Sequence, residues 1–340
     1  MTVKRFSGEE IKENESAMRI VSVQGDGKTT DSLFITDAPK PDSPAGHVLL
    51  RVTHAGVNRP DILQRQGLYP PPAGASPVMG LEVSGVIEAI AGETSGWRVG
   101  DRACALVNGG GYADYVSIDA RHLMPIPEGW SEAEAAALPE VCLTVYANLL
   151  EHGGLKAGET VLVHGANSGI GAMTVQMAKA FGARVVATVR GPERMAWVKG
   201  LGADQVIDSR SADFVTEVRA SGGADVVLDI VAGDYAAKNI SCLRPKGRLV
   251  QVGMARGSRV EIDLARVMQK QAIVTGSMLR PRSADEKARL VAGVRRQVWP
   301  HIEAGRIRPL LSKVFPFADV AQAQDWLDSG HHTGKVVLAL

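Results

Sequence analysis

Short apolar runs recur along the chain, and a change in their spacing marks two kinds of structure. Between residues 18 and 120, β-rich runs at 47–52, 83–88 and 112–116 are separated by glycine and proline, with no long helical pattern between them. Strands at this spacing predict a small barrel-like or bent-sheet domain. Residues 1–17 are polar and lack an apolar run, so we expect them to form an N-terminal extension outside this domain.

From about residue 131 the pattern becomes an alternation of helices and apolar strands. Helices are predicted at 132–138, 143–150, 170–181, 193–201 and 214–220, and strands at 160–164, 184–189, 205–207, 225–231, 249–252 and 273–275. Strands that are nearly all Val, Leu and Ile, with helices between them, indicate a parallel sheet covered on both faces, which is a Rossmann-type doubly wound α/β unit. One long helix is predicted over 285–305, and a last strand over 333–340 is predicted to return to the first domain.

Composition, charge and cysteine spacing reduce the number of function classes to which the protein could belong. The 340 residues carry a net charge of +1 and no aromatic-interleaved basic stripe, which argues against nucleic acid as the main partner. The cysteines Cys104, Cys142 and Cys242 form no CxxC pair, so neither a disulfide framework nor a four-cysteine zinc site is predicted. No apolar run approaches the roughly 18 residues of a membrane span. We therefore expect a cytoplasmic protein with no membrane partner.

A small-residue turn between a predicted strand and a predicted helix is the first candidate site. The G-x-G-x-x-G pattern would need glycine at 166, 168 and 171, but the chain has Ala166, Ser168 and Gly171. The strand–turn–helix context still favours a dinucleotide, because backbone N–H groups and the helix N-terminus can approach a diphosphate there. A tight turn without a ligand is the alternative. The candidate diphosphate-binding residues are Asn167, Ser168, Gly169, Ile170 and Gly171.

The residues after the next strand bear on the choice of cofactor. Arg190 and Arg194 follow it and can bind a 2′-phosphate through charge-assisted hydrogen bonds, which favours NADPH. Glu193 is the nearest acid, and its place in a first helical turn explains it without a ligand. The alternative is that both arginines are solvated surface residues.

These features resemble the medium-chain dehydrogenase/reductase superfamily, and within it the zinc-free, zeta-crystallin-like NADPH:quinone oxidoreductases. The resemblance covers the chain after Met18 and rests on residues 58–72, 80–82, 138–140 and 158–165, on Gln176 and Lys179, and on residues 276–280 and 334–337. It implies a Rossmann-type cofactor-binding domain at 141–282. It also implies a β-rich, barrel-like (GroES-like) catalytic domain, discontinuous at 18–140 and 283–340.

The zinc-dependent alcohol dehydrogenases of this superfamily bind their catalytic metal through Cys, His and Cys, and this chain has Asn58, Leu81 and Glu140 at those positions. They leave at most one good donor where a catalytic zinc needs three, so no metal site is predicted. Without a Lewis acid, a readily reduced conjugated carbonyl is the favoured acceptor. The predicted function is therefore a zinc-independent, NADPH-dependent quinone oxidoreductase, with an enone or enoyl-thioester reductase as the alternative.

The resemblance also implies the remaining site residues. Asn58 and Tyr69 are the catalytic candidates, because the matching residues border the nicotinamide and acceptor cleft in the resembled enzymes. The Tyr69 hydroxyl would orient a carbonyl oxygen or donate a proton to it. The alternative is that Tyr69 only packs against its neighbours. The further cofactor contacts are Thr144, Val231, Gly253, Met254, Ser277, Met278 and Leu279. Two departures concern NADPH: Asp208-Ser209-Arg210 replaces a tyrosine of the branch, and Gly191 and Arg194 replace its Ser–Lys pair. A homodimer that pairs through residues 273–275 is expected.

Overall fold

The computed structural model describes residues 17–94 and 96–340. Most of the predicted extension therefore lies outside the described residues, and Ala17 already belongs to the first strand. The first part of the chain is β-rich and contains three short helices. Its strands are β1 (Ala17–Val23), β2 (Leu33–Pro39), β3 (His47–Val57), β4 (Glu82–Ala91), β5 (Arg102–Leu106), β6 (Tyr115–Asp119) and β7 (Leu123–Pro125). Its helices are α1 (Arg59–Arg65), α2 (Glu132–Ala136) and α3 (Pro139–Val145).

Strand β3 organises this β-rich part because two neighbours pair with it along the same stretch. It pairs antiparallel with both β4 and β6, and its register with β4 shifts between Leu49 and Leu50 and again between Val52 and His54. Such bulges bend a strand and let a sheet curl toward a barrel. The buried side chains Val48, Leu50 and Val52 alternate along β3, so this face packs into the core of the β-rich part.

The middle of the chain forms a six-stranded parallel sheet in the order β10-β9-β8-β11-β12-β13. Its strands are β8 (Thr160–Val163), β9 (Arg184–Val189), β10 (Gln205–Asp208), β11 (Ala224–Asp229), β12 (Leu243–Gln251) and β13 (Ile273–Gly276). Its helices are α4 (Gly169–Ala180), α5 (Met195–Gly200), α6 (Phe214–Ala220), α7 (Tyr235–Cys242) and α8 (Leu264–Lys270). The strand order reverses between β8 and β11, and open α/β sheets bind ligands at the carboxyl ends of strands at such a point.

The last part of the chain adds strands to the first sheet. Its elements are α9 (Ala284–Gln297), α10 (Trp299–Glu303), β14 (Leu311–Pro316), α11 (Val320–Asp328) and β15 (Lys335–Ala339). Strand β15 pairs antiparallel with β3 on one side and parallel with β14 on the other, giving the order β14-β15-β3-β4-β5-β7. No helix within residues 17–94 and 96–340 is long and apolar enough to cross a membrane.

Three of the differences between the predicted elements and the structure have a clear physical reason. The single helix over 285–305 is wrong: it is broken at Val298, because Pro300 cannot continue a helix but fits the first turn of a new one. The helix predicted over 143–150 is α3 followed by a π-helical segment, Tyr146–His152. Strand 225–231 ends earlier, at Asp229, whose carboxylate accepts the backbone N–H of Val231 and turns the chain.

Candidate functional site

The turn between β8 and α4 is shaped for close approach to a ligand. Gly165 has φ +61°, and a Cβ added at Gly171 would lie 2.3 Å from the Gly165 carbonyl oxygen. The Ser168 hydroxyl accepts the N–H of Gly171 at 3.1 Å and donates to the Gly165 carbonyl at 2.8 Å. The N–H groups of Gly169 and Ile170 come earlier in the first turn and have no intrahelical acceptor. This cradle fits a diphosphate group.

The carboxyl end of β11 lies beside this turn. The Asp229 carboxylate, which is fully buried, accepts the N–H groups of Val231 and Ala232 at 2.6 and 3.2 Å. Gly253 follows β12 on the neighbouring strand, and a Cβ there would lie 2.9 Å from the Ile230 carbonyl oxygen. The predicted contacts Val231, Gly253 and the exposed Met254 therefore share one edge of the sheet.

A chain of hydrogen bonds links two more predicted contacts. The Ser277 hydroxyl, just after β13, donates to Asn148 Oδ1 at 3.0 Å, and Asn148 Nδ2 donates to the Thr144 carbonyl at 2.9 Å. Met278 beyond it is exposed, whereas Leu279 packs against the core. The structure thus ties the β13 end of the sheet to helix α3.

The two predicted phosphate-binding arginines have different environments. The Arg194 guanidinium donates to the backbone carbonyls of Arg190 and Gly330 at 2.6 and 2.9 Å. The Arg190 side chain is exposed. Between them, the N–H of Gly191 donates to Asp208 Oδ1 at 2.9 Å, and this bond lowers the pKa of the Asp208 carboxyl. Arg190 is therefore the more available cation of the two, while Arg194 holds the turn.

The segment before β15 contacts the diphosphate turn directly. Gly334 forms a parallel bridge with Ser168, and its N–H donates to the Asn167 carbonyl at 2.8 Å. Asn167 Nδ2 donates to the carbonyl of His332, whose side chain is 9% exposed although its position suggests a surface turn. The Rossmann turn and the last strand of the β-rich sheet are therefore joined through main-chain hydrogen bonds.

A buried ion pair joins strands β4 and β15, and its lysine also lies against the diphosphate turn. Lys335 is 4% exposed and Glu82 is fully buried, and Lys335 Nζ lies 2.6 Å from Glu82 Oε1. Asn58 bridges the two, since its Nδ2 donates to Glu82 Oε1 at 2.9 Å and its Oδ1 accepts from the Lys335 ammonium. The stem of Lys335 lies against Gly169, where a Cβ would be 2.5 Å from Lys335 Cδ. One side chain thus touches both the diphosphate turn and the predicted catalytic residue Asn58.

Glu140 lies next to this pair at the start of α3. Its backbone N–H donates to Glu82 Oε2 at 2.9 Å, and its Oε1 accepts the Thr144 hydroxyl at 3.2 Å. Burial and the nearby Glu82 charge raise the pKa of the Glu140 carboxyl to about 7, although Lys335 and Thr144 lower it. A carboxyl group whose pKa is shifted toward neutrality therefore lies next to the Asn58–Glu82–Lys335 cluster.

Arg280 contacts both the ring and the backbone carbonyl of Tyr69. The Arg280 guanidinium carbon lies 5.2 Å from the Tyr69 ring centroid, and the guanidinium donates to the carbonyls of Tyr69 and Asn108. Burial raises the pKa of the Tyr69 hydroxyl, Arg280 lowers it and the charge of Glu140 raises it again. Tyr69 and Glu140 are therefore within electrostatic range of each other.

Lys335, Glu82 and Arg280 form much of this site and were not predicted as site residues. Lys335 and Glu82 each begin an apolar strand, and charged residues in such positions are almost never fully buried unless they are paired. Two isolated opposite charges in strands of one sheet were therefore a signal for a pair. Arg280 had no comparable signal, because a loop arginine is ordinarily exposed.

Comparison with known proteins follows the same division of the chain. The alcohol dehydrogenase GroES-like domain family matches residues 44–128, and the zinc-binding dehydrogenase family matches residues 201–338. Quinone oxidoreductase from Mus musculus is 30% identical over 312 residues, which cover 90% of this chain and 92% of the mouse protein. The chain belongs to the zinc-free, quinone-oxidoreductase-like branch of the medium-chain dehydrogenase/reductase family. The predicted family and fold class are confirmed.

Other members of the family differ in what they do. The structure of the quinone oxidoreductase from Thermus thermophilus, solved also with NADPH, has 35% identity and a TM-score of 0.78 over 91% of this chain and 96% of that one. The CurK enoyl reductase has 27% identity and a TM-score of 0.84 over 96% and 99%. A phenolphthiocerol/phthiocerol polyketide synthase subunit of Mycobacterium tuberculosis is 31% identical over 317 residues, 91% of this chain. The chain spans 14% of the length of that relative.

The zinc of other family members does not fit these residues. Both side-chain polar atoms of Asn58 are engaged by Glu82 and Lys335, and Leu81 offers no donor. A fixed ammonium beside Glu82 would also repel a divalent cation. Among residues 17–94 and 96–340, no three His, Cys, Asp or Glu side chains form a group that could hold a metal ion.

Proposed function

We propose that the protein is a zinc-independent, NADPH-dependent oxidoreductase whose acceptor is a quinone. The observation that carries the proposal is the buried Lys335–Glu82–Asn58 cluster, in which Asn58 has the position of a zinc ligand in the zinc-dependent relatives. It leaves the cleft with hydrogen-bonding groups and a fixed charge but without a Lewis acid. Interconversion of an alcohol and a ketone depends on a metal in those relatives, whereas a quinone is reduced readily once it is positioned.

The residues proposed to hold NADPH lie along one edge of the parallel sheet. The diphosphate would be held by the turn from Asn167 to Gly171, with Lys335 beside it, and the 2′-phosphate by Arg190. Thr144 and Ser277 flank the part of the cleft nearest Glu140 and would contact the nicotinamide end. The bound cofactor would supply a hydride to the acceptor, and the protein groups would position both reactants. The NADPH complex of the Thermus relative supports this choice of cofactor.

A steady-state assay of NADPH oxidation tests the function. We expect turnover with ortho- and para-quinones, with NADPH preferred over NADH, and activity that persists after chelator treatment. Rapid turnover with an enone or an enoyl thioester but none with any quinone would overturn the quinone proposal. The second candidate, an enone or enoyl-thioester reductase, is supported by the similarity to the CurK enoyl reductase.

A homodimer is part of the proposal. Ile273 and Val274 on edge strand β13 are 55% and 49% exposed, and Leu264 and Met268 on the adjacent helix α8 are also exposed. An apolar edge strand is an aggregation liability unless it is covered, and a second copy of the chain is the proposed cover. Sedimentation at micromolar concentration tests this, and a monomer would contradict it. We also propose a cytoplasmic location, which fractionation of the native cells tests.

A further inference from the structure

Glu140 is a partly exposed carboxyl group beside the Asn58–Glu82–Lys335 cluster, and no lysine, arginine or histidine among the described residues forms an ion pair with it. Its neighbour Glu82 is fully buried and takes the Lys335 ammonium at 2.6 Å. The Glu140 side chain is partly exposed, and the hydroxyl of Thr144 is the side-chain group that contacts it. Glu140 therefore lies beside an ion pair whose charges compensate each other, and its partner Thr144 is one of the residues proposed to contact the nicotinamide.

The helix start fixes the direction of this carboxyl group. Pro139 begins α3, and the N–H of Glu140, which has no intrahelical partner at that position, donates to Glu82 Oε2. Thr144 lies one helical turn further along the same face, so its hydroxyl reaches Glu140 Oε1 at 3.2 Å. These two contacts hold both ends of Glu140 without neutralising its charge.

Burial, rather than the surrounding charges, favours a protonated Glu140 carboxyl near neutral pH. Burial contributes most to the raised pKa of Glu140, which is about 7; Glu82 on β4 and Asp61 on α1 raise it, and Lys335 on β15 lowers it. Tyr69 is within electrostatic range of Glu140, and Arg280 lies over the Tyr69 ring. Because burial also raises the pKa of Tyr69, its hydroxyl is a much weaker acid than Glu140 at neutral pH.

We infer that Glu140 is a catalytic residue that donates the proton completing reduction of the acceptor oxygen, while Tyr69 orients that oxygen. The assignment rests on the proposed function. A quinone that has accepted a hydride is a hydroquinone monoanion. The O–H bond of Glu140 breaks, the proton forms a new O–H bond on the phenolate oxygen, and the carboxylate regains a proton from solvent. The overall reaction consumes one NADPH, one proton and one quinone and yields NADP⁺ and hydroquinone.

The decisive variant is Glu140→Gln, which keeps the shape and the backbone hydrogen bond but cannot donate an acidic proton. We expect kcat with a quinone to fall by about 100-fold at pH 6.5, the scale of general acid catalysis, and the wild-type pH dependence near 7 to disappear. The affinity for NADPH, measured by fluorescence titration, should stay within about threefold of wild type. The matched control is Glu93→Gln, an exposed loop glutamate, whose kcat should not change.

A second readout is independent of turnover. In the cofactor-free protein, the protonated-carboxyl infrared band should contain a component that is lost with a midpoint near pH 7. That component should be absent from Glu140→Gln, in which the component of Asp61, with a midpoint near pH 6, should remain. Thr144→Val removes the donor that lowers the pKa of Glu140, so the midpoint should move upward. Unchanged kcat and pH profile in Glu140→Gln, or an unchanged infrared band, overturns the role of Glu140. Wild-type protein that turns over no quinone overturns the proposed function instead, so the two failures are distinguishable.

Discussion

Replacing Lys335 by Met is predicted to destabilise the protein strongly even though the replacement is similar in length and apolar. The side chain is 4% exposed, and its ammonium faces a fully buried Glu82 at 2.6 Å. Met retains the packing of the stem against Gly169 but leaves the Glu82 carboxylate without its cation. The main effect is therefore electrostatic rather than a loss of volume.

The size of the effect follows from the distance and the burial. At 2.6 Å and an effective dielectric constant of about 20, the attraction between two unit charges is about 6 kcal/mol. Desolvation of both ions offsets much of this attraction, so the intact pair contributes little net stability. Removing one partner of a buried pair exposes the full desolvation cost of the other, which is about 3–5 kcal/mol. Lys335→Met should therefore lower the free energy of unfolding by that amount.

Urea denaturation of four proteins tests this reasoning: wild type, Lys335→Met, Glu82→Gln and the double variant. Each single variant should lose about 3–5 kcal/mol, while the double variant should recover most of the loss because no unpaired charge stays buried. Arg102→Met is the matched control, since Arg102 pairs with Glu132 at 3.0 Å but is 52% exposed; its cost should be below about 1 kcal/mol. Losses that simply add in the double variant would refute the explanation.

Three further outcomes follow from the site. Gly171→Ala should weaken NADPH binding at least tenfold in a fluorescence titration, because the added Cβ would lie 2.3 Å from the Gly165 carbonyl, whereas Gly200→Ala, which meets no atom within 4 Å, should bind normally. Burial raises the pKa of Asp61 to about 6, so the unfolded state ionises first and stability should fall by about 3 kcal/mol as pH rises from about 4 to 6. Asp61→Asn should reduce that slope in denaturation curves and leave only the part that the raised pKa of Glu140 causes, and an unchanged slope would assign it to another group. Arg190→Ala should raise the KM for NADPH at least tenfold and leave that for NADH unchanged; equal effects on both would exclude 2′-phosphate binding by Arg190.

Much of the fold could be predicted from the sequence because each strand and helix has its own local pattern of apolar residues. Strands such as β9 and β11 are continuous apolar runs, and the intervening helices have their own periodicity, so the parallel sheet follows from spacing alone. The prediction of one long helix over 285–305 was wrong because the apolar pattern continues through Pro300, whereas the break in the helix depends on that one residue. The helices α7 and α8 were not predicted, since they are short and polar on one side.

The candidate site could be predicted only in part, because the hydrogen bonds and the ion pair that form it join residues that are distant in sequence. The diphosphate turn is a single local segment and could be proposed from glycine and serine positions. The partnership of Lys335 with Asn58 spans 277 positions, and no periodic pattern reports it. The functional assignments of Tyr69, Thr144 and the residues after later strands stay predictions.

The location of Lys335 on strand β15 has a consequence for how the protein folds. Docking of this one strand against β3 brings the ammonium to Glu82 and, through Gly334, completes the main-chain bridge to Ser168. Contacts between such distant parts of the chain form slowly, because a long loop must close before they stabilise anything. The Lys335–Glu82–Asn58 cluster and the diphosphate turn should therefore reach their final geometry together, in one late folding step. A partly folded chain in which this strand is not yet docked should bind no cofactor.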